Sequence, residues 1–203
     1  MKTRARRGSL AAFLVLMLAA VGLGVAPSAS ANTVIPVSWK VNATTHLKSL
    51  NMDITVPTGT FDGQIDLDTG AITGNLVLPP ATSQIKVFGI PLATATFAIQ
   101  PTGPVTGHVD LSTFQVTVSS SFNFKITKAA PSFAPRLNLV GNSCQGSTPV
   151  TVNMTGAVDL ANGSTFTSTY TVPKFKSCGL LTPILNLIVP GPGNTFTATF
   201  SPT

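Results

Sequence analysis

Apolar and polar residues alternate with a period of two along most of the chain beyond residue 34. The longest alternation runs from Phe114 to Ile126, with Val, Phe, Ser and Ile at one parity and Gln, Thr, Ser, Asn and Lys at the other. This period is typical of a β-strand with one buried face. A strand about twice the usual five or six residues normally curls, which leads to a barrel or a strongly bent sandwich.

A hairpin pattern occurs three times along the chain. Its first strand ends in the stretches 63–67, 107–111 and 156–160, each of which begins with glycine and ends in Asp-Leu. A short turn follows each copy, and then comes a second strand that mixes apolar and hydroxyl residues. The repeat therefore indicates a structural unit rather than a catalytic one.

The aspartates of this repeat, Asp66, Asp110 and Asp159, suggest a catalytic carboxylate pair or a calcium site. Only the group that Asp66 forms with Asp62 and Asp68 approaches the density of acids in a calcium loop. Parity places the repeated aspartates on the solvent face just before a turn, where a short carboxylate accepts backbone N–H bonds. We therefore predict that they cap turns and that the chain has no metal site.

The remaining sequence adds further strands and one helix. Alternation over 35–41 predicts a first strand with Pro36 at a sheet edge or at the strand's beginning, and 42–49 predicts a polar loop. Thr182-Pro183 favours a helix start with Thr as N-cap, so the apolar stretch 180–189 predicts a short helix. We predict an all-β fold, a single antiparallel β-barrel or strongly curved β-sandwich built from long hairpins, with this helix near the C-terminus.

The inward parity of the strands combines bulky apolar residues with small ones, among them Gly63, Gly107, Gly156 and Ser120. Such a face either bends at glycine to fill a core or leaves an apolar cavity. The cavity would suit a lipid-like ligand, and the stretch 180–189 would serve as a lid. The ligand-binding residues predicted on the inward face and the lid are Phe97, Phe122, Phe124, Phe166, Leu181 and Leu185.

The first 31 residues have the parts of a secretory signal peptide: a basic start, an apolar run and the small-residue cleavage site Ala29-Ser30-Ala31. We predict a signal peptide over residues 1–31, which is removed, and a single all-β domain over residues 32–203. No later stretch reaches the roughly 20 apolar residues of a membrane-spanning helix. We therefore expect a secreted, extracellular protein and, as an extension, contact with the cell envelope.

The net charge is much smaller when residues 1–31 are left out. Eight of the 12 Lys and Arg remain against 6 acidic residues, so the net charge falls from +6 to +2. A nucleic-acid partner, which needs a clustered basic face, is not expected. Only 9% of residues are charged, and the surface is polar mainly through Thr, Ser, Asn and Gln.

The two cysteines, Cys144 and Cys178, form an even pair in a chain predicted to reach an oxidising compartment. We predict one disulfide, worth about 3 to 4 kcal/mol in the chain-entropy model. The rival interpretations are two free thiols and a metal pair. They are disfavoured because no histidine or second cysteine lies at ligand spacing from either residue.

Candidate catalytic groups are few. The histidines His46 and His108 could serve a hydrolase, but no G-x-S-x-G surrounds any serine. An exposed strand histidine is the commoner case, so we predict no enzyme and no cofactor. The Thr-rich runs 165–171 and 195–199 could form a hydroxyl array for ice or polysaccharide, although threonine is also favoured on any exposed strand face.

The motifs Cys178-Gly179-Leu180-Leu181-Thr182-Pro183 and Pro190-Gly191-Pro192-Gly193-Asn194-Thr195, with Cys144 and Pro149-Val150-Thr151, carry a resemblance. On them the chain resembles a set of uncharacterised exported proteins of actinomycete bacteria, over most of residues 32–203. That resemblance implies no activity. In composition and strand length the chain is also loosely similar to YceI-type polyisoprenoid-binding barrels, which implies a lipid-binding architecture.

Two functions are therefore expected. The first is a secreted non-enzymatic protein that binds an apolar ligand, such as a lipid or polyprenyl chain, inside the domain. The alternative is a structural or adhesive cell-envelope protein that contacts the cell wall through its neutral Thr/Ser-rich surface.

Overall fold

A computed structural model describes residues 33–87, 90–159 and 162–203. The predicted signal peptide lies outside the described residues, and Asn32–Thr203 forms one compact unit. The strands are β1 (Val34–Leu47), β2 (Met52–Asp66), β3 (Ala71–Val77), β4 (Ala81–Val87), β5 (Ile90–Pro101), β6 (Val105–Asp110), β7 (Gln115–Pro131), β8 (Gln145–Gly146), β9 (Val150–Ala157), β10 (Ser164–Val172), β11 (Phe175–Lys176) and β12 (Gly191–Pro202). The all-β prediction is confirmed for this part of the chain.

All these strands belong to one antiparallel sheet with the order β10-β12-β1-β2-β3-β6-β7-β5-β4. The 17-residue strand β7 organises it, since β6 and then β5 pair along one edge while β9 and β8 pair along the other. Its burial alternates almost without a break, as the sequence predicts. Inward side chains from nearly every strand form a common hydrophobic core.

Of the two predicted architectures, a β-barrel or a strongly curved β-sandwich, the barrel is wrong because the sheet is not closed. β9 and β10, the strands of the third repeat hairpin, lie side by side, yet the described residues form no hydrogen-bonded ladder between them. The backbone N–H groups just after β9 form isolated bonds instead of a ladder, and one of these bonds reaches the side chain of Ser164, the first residue of β10. Val158 N–H donates to the carbonyl of Phe114 at 2.8 Å, and Asp159 N–H donates to Ser164 Oγ at 2.7 Å. We call this unpaired junction of β9 with β10 the seam.

The prediction of a polar loop over 42–49 is wrong because β1 continues to Leu47. Ala43 and Thr45 are buried on its inner face, and the Thr45 hydroxyl finds partners there, so a small and a polar residue still belong to a strand. Pro36 pairs with β2 alone, before β12 joins the other edge at Trp39, so its missing N–H costs no ladder bond.

The short C-terminal helix is confirmed as α1 (Thr182–Ile188), preceded by a 3-10 turn over Gly179–Leu181. Thr182 is not its N-cap. Its hydroxyl accepts from Cys178 N–H at 3.1 Å and donates to Gly179 carbonyl at 2.9 Å, so it fastens the preceding turn. Within the described residues, no helix is long and apolar enough to cross a membrane.

The antiparallel register divides the sheet into two halves. The hairpin half contains the strand ends next to the turns of the three repeats, at residues 67–70, 111–114 and, in the third copy, 158–159 and 162–163. The disulfide half contains the opposite strand ends together with β8, β11, α1 and the connection 132–144.

Candidate functional site

An apolar cavity of about 50 Å³ lies inside the hairpin half. That space exceeds the roughly 10–15 Å³ that one ordered water needs, but cavities with apolar walls stay dry and take up apolar molecules. Its walls come from both sides of the seam and from the strands between. The lining residues are Trp39, Phe61, Ile65, Ile72, Leu76, Val105, Val109, Val116, Val118, Ser120, Met154, Val158, Phe166 and Phe200.

Ser120 is the one side chain with a hydroxyl among the described residues that line this cavity. It is 3% exposed, and its Oγ has no hydrogen-bond partner in the described part of the chain. The strand parity of β7 directs it inward with Val116 and Val118. A buried hydroxyl without a partner costs roughly 1–3 kcal/mol, so the site holds an unmet demand for one hydrogen bond.

Aromatic rings frame the cavity where it approaches the surface. Trp39 stacks on Phe61 with ring centroids 5.9 Å apart, and Phe200 meets both rings edge-on at 6.0 Å. Trp39, Phe200 and Val158 are half-buried rather than buried, so the wall reaches solvent there. Exposed apolar residues continue from this region along the strand ends: Val34, Ile35, Leu111 and Phe114.

The inward glycines make room for rings. A Cβ on Gly74 would lie 2.5 Å from Phe61 Cζ, and one on its cross-strand partner Gly63 would lie 2.8 Å from the same atom. A Cβ on Gly156 would lie 3.1 Å from Phe166 Cδ1. Phenylalanine therefore fills the space over these glycines, and the cavity is what remains beside the rings.

Of the residues predicted to bind ligand, Phe166 lines this cavity. Phe122 and Phe124 pack against each other at 5.3 Å in the disulfide half, and Phe97 is buried on β5. Two lie at the C-terminal helix: Leu185 is the buried residue of α1, and Leu181 is half-buried in the turn before the helix. Parity would have identified Val116 and Val118 as inward, but which inward residues share a cavity depends on cross-strand register.

The disulfide half buries polar groups in a bonded network. Asn194 is fully buried, accepts from Lys48 N–H at 3.0 Å and donates to the carbonyls of Gly191 and Tyr170 at 2.7 and 3.4 Å. The hydroxyls of Thr45 and Tyr170 lie 2.6 Å apart. Burial raises the pKa of Tyr170 to about 12, with the Thr45 bond opposing that shift.

The repeated aspartates cap their turns, as predicted. Asp66 Oδ1 accepts N–H bonds from the next turn residues at 2.9 and 3.0 Å, and Asp159 Oδ1 accepts one from Asn162 at 2.9 Å. Asp110 accepts from the Ser112 hydroxyl at 2.6 Å and from the Ser112 and Thr113 backbone, and these bonds lower its pKa to about 2.

In the aspartate cluster considered for calcium, the carboxylates accept hydrogen bonds from other protein groups. Asp62 accepts from Ser38 Oγ at 2.6 Å, and Asp68 accepts from Thr33 N–H at 2.8 Å. No group of three or more His, Cys, Asp or Glu residues fit to hold a metal occurs in the described ranges.

The turns share a backbone pattern with one exception. The residue four positions after each aspartate donates its N–H to that aspartate's carbonyl and has positive φ: Gly70 at 72°, Phe114 at 54° and Gly163 at 87°. Phe114 thus occupies a left-handed position where its two counterparts are glycine, and it is 50% exposed.

The histidines are not brought together. His46 Nδ1 lies 2.8 Å from Asp53 Oδ1 on the outer face of β1 in the disulfide half, whereas His108 lies on β6 in the hairpin half. The Thr-rich runs do meet, since β10 pairs with β12. Thr165 and Thr199 hydroxyls lie 2.8 Å apart, and Thr167 and Thr197 hydroxyls 2.9 Å apart.

Cys144 and Cys178 form the predicted disulfide, and both are fully buried. A covalent bond of this kind is compatible with an oxidising, extracellular compartment.

Comparison of the chain with models of protein families, with curated proteins and with solved structures finds no match.

Proposed function

We propose that this is an exported, non-enzymatic protein that binds an apolar ligand, such as a lipid or polyprenyl chain, in the hairpin-half cavity. One observation carries the proposal: an apolar cavity with Ser120 in its wall, whose buried Oγ has no hydrogen-bond partner among the described residues. Burial of apolar ligand surface contributes about 25 cal/mol per Å².

The Ser120 hydroxyl defines the polar part of the ligand. A hydroxyl both donates and accepts, so it suits an alcohol, ester or carboxylic acid group on an otherwise apolar chain. Bonding it removes the cost of the unmet hydrogen bond, which a plain hydrocarbon would leave in place.

The seam gives the cavity a way to widen. Sites for drug-sized ligands measure about 300–1,000 Å³, so the present cavity fits a short segment of a chain. Phe166 and Met154 line the cavity from the two strands that meet at the seam. Among the described residues, separation of β9 from β10 breaks no ladder of hydrogen bonds, so a longer ligand enters there more easily than between paired strands.

Organic extraction of the purified protein followed by mass spectrometry tests the proposal. We expect an apolar molecule with one polar group, bound in a defined ratio. A clean extract, combined with no binding of added fatty alcohols in calorimetric titration, would contradict the proposal.

Variants locate the ligand. Val116→Phe fills the cavity and should abolish binding, whereas the control Val77→Phe adds the same ring on the outer face of β3, where Val77 is 59% exposed. Ser120→Ala should weaken binding of a long-chain alcohol by about fivefold, the equivalent of one hydrogen bond, and leave an alkane unaffected. The matched control is Ser119→Ala on the opposite face of the same strand.

The alternative function, a structural or adhesive envelope protein, is favoured by the paired threonine hydroxyls on the outer face of β10 and β12. It predicts retention of the protein on purified cell wall. Replacement of Thr165 and Thr167 by alanine should then reduce retention, and free recovery in the medium would count against it.

A further inference from the structure

A second surface, in the disulfide half, centres on α1. One side of this helix is buried through Leu185, and its other side is apolar and exposed. Leu180 is 93% exposed, Leu187 85% and Ile184 54%. Single exposed leucines are common, but a contiguous exposed apolar group marks an interaction site.

The connection 132–144 adds to this surface. Phe133 is 89% exposed and Leu137 50% exposed. The connection reaches the 3-10 turn that precedes the helix, because a Cβ on Gly179 would lie 3.6 Å from the carbonyl oxygen of Leu139. We call the exposed residues Phe133, Leu137, Leu180, Ile184 and Leu187, with the cations described next, the α1 patch.

Cations lie on the segments next to these apolar residues. Lys174 and Lys176 flank Phe175, whose backbone N–H and carbonyl bond Asn186 of the helix at 2.6 and 2.9 Å. The Lys48 side chain lies 3.1 Å from where a Cβ on Gly193 would be, just beyond the helix. Arg136 stands between the exposed residues of the connection.

The same half of the molecule contains little negative charge. Five of the six acidic residues lie in the hairpin half, on or beside the repeat turns: Asp62, Asp66, Asp68, Asp110 and Asp159. The sixth, Asp53, is paired with His46. Lys48, Arg136, Lys174 and Lys176 form no ion pair with the described residues, so their charge is available to a partner.

We propose that the α1 patch binds the surface of a lipid bilayer that contains anionic lipids. Exposed leucine and phenylalanine insert at the boundary of head groups and acyl chains, and flanking lysines meet the anionic head groups. An anionic wall polymer would satisfy the cations and leave the leucines in water. A second copy of the chain would bring cation against cation. Of these three partners, the bilayer surface alone contacts both the cations and the exposed leucines. The inference does not depend on the cavity or its ligand.

Co-sedimentation with vesicles tests the inference on the purified protein. We expect binding to vesicles made of equal parts phosphatidylcholine and phosphatidylglycerol, and much weaker binding to phosphatidylcholine alone. Binding should fall in about 1 M salt, where the Debye length is about 3 Å. Equal binding to both vesicles, or no binding to either, would overturn the inference.

Two sets of variants separate the contributions. Lys174→Gln, Lys176→Gln and Arg136→Gln should each lower the partition coefficient about fivefold, the effect of one cation near an anionic surface. Leu180→Ser and Leu187→Ser should each lower it about tenfold through lost apolar burial. All five residues are exposed, so circular dichroism and unfolding midpoints should not change.

Matched controls lie in the other half and on another strand. Lys40→Gln removes an exposed cation from β1 in the hairpin half, and Val77→Ser removes an exposed apolar side chain from β3. Both should bind vesicles as the unchanged protein does. Binding that depends on the cations but not on Leu180 and Leu187, and that is reproduced by a soluble anionic polymer, would overturn the bilayer in favour of the polymer.

Discussion

The two halves of the sheet treat buried polar groups in opposite ways. In the disulfide half, Asn194, Thr45 and Tyr170 satisfy one another and the neighbouring backbone. In the hairpin half, Ser120 is just as buried and its hydroxyl finds no partner among the described residues. Several long strands run through both halves, among them β1, β2, β7 and β12, so the contrast arises in part from the side chains that these strands contribute.

The two halves also differ in the interactions that stabilise them. The disulfide half combines a covalent bond, a bonded polar network and close aromatic packing of Phe122, Phe124 and Phe196. The hairpin half keeps an unfilled space and, as far as the structure describes the chain, a hydroxyl without a hydrogen bond and a seam without a ladder. Departures from good packing of this kind gather at functional sites, which supports the cavity as the ligand site.

Removal of the disulfide should have the largest effect. Replacement of Cys144 and Cys178 by alanine frees a loop spanning a sequence separation of 34 residues. The free energy of unfolding should fall by about 3 to 4 kcal/mol in the chain-entropy model, as measured by urea denaturation. Hydrogen exchange should accelerate first at β8 and β11. Uniform acceleration of exchange across both halves would show that the disulfide does not stabilise one half more than the other.

Asn194→Ala should follow in magnitude. The change leaves buried backbone groups without partners and should cost about 2 to 3 kcal/mol of unfolding free energy. Ser120→Ala is the matched change in the hairpin half, and there it should raise stability by up to about 1 kcal/mol, because it removes an unsatisfied hydroxyl. A destabilised Ser120→Ala variant would mean that the two halves do not differ in this respect.

Tyr170 gives the disulfide half a pH dependence. Its pKa rises from 10.0 to about 12 on folding, so folding favours the protonated phenol. That contribution is complete below pH 10 and is lost as the pH rises through 12. Tyr170→Phe should cost about 1 kcal/mol at neutral pH and reduce the alkaline loss.

The measurement is direct because Tyr170 is the single tyrosine of the chain. Tyrosinate absorbance of the folded protein should rise near pH 12 rather than near pH 10. A midpoint at the ordinary value would show that the phenol is solvated.

The smallest effect is expected at Phe114. Its left-handed backbone costs a non-glycine residue roughly 1 kcal/mol, so Phe114→Gly should raise the free energy of unfolding by up to that amount. Gly70→Phe, at the equivalent position of the first turn, should instead destabilise, because a Cβ there would lie 2.3 Å from the carbonyl oxygen of Val109. Thermal denaturation of both variants compares the two turns.

Part of the candidate site was within reach of the sequence. Parity predicted that Phe166, Phe122 and Phe124 face inward, and all are buried. It could not divide them between a cavity and a filled region, because that depends on which strands lie opposite. Trp39 reaches the cavity through its stacking on Phe61 from the neighbouring strand, a contact with no local signal.

The sequence by itself determined the strands, their buried faces, the turn-capping aspartates, the disulfide and the short helix. Each depends on periodicity, on a few neighbouring residues or on the number of cysteines. Tertiary structure alone decided that β1 runs on through Thr45, whose hydroxyl meets Tyr170 at a separation of 125 residues. It also decided that the third hairpin is a seam and that Ser120 finds no hydrogen-bond partner within the described ranges. These outcomes depend on long-range register, which no local pattern encodes.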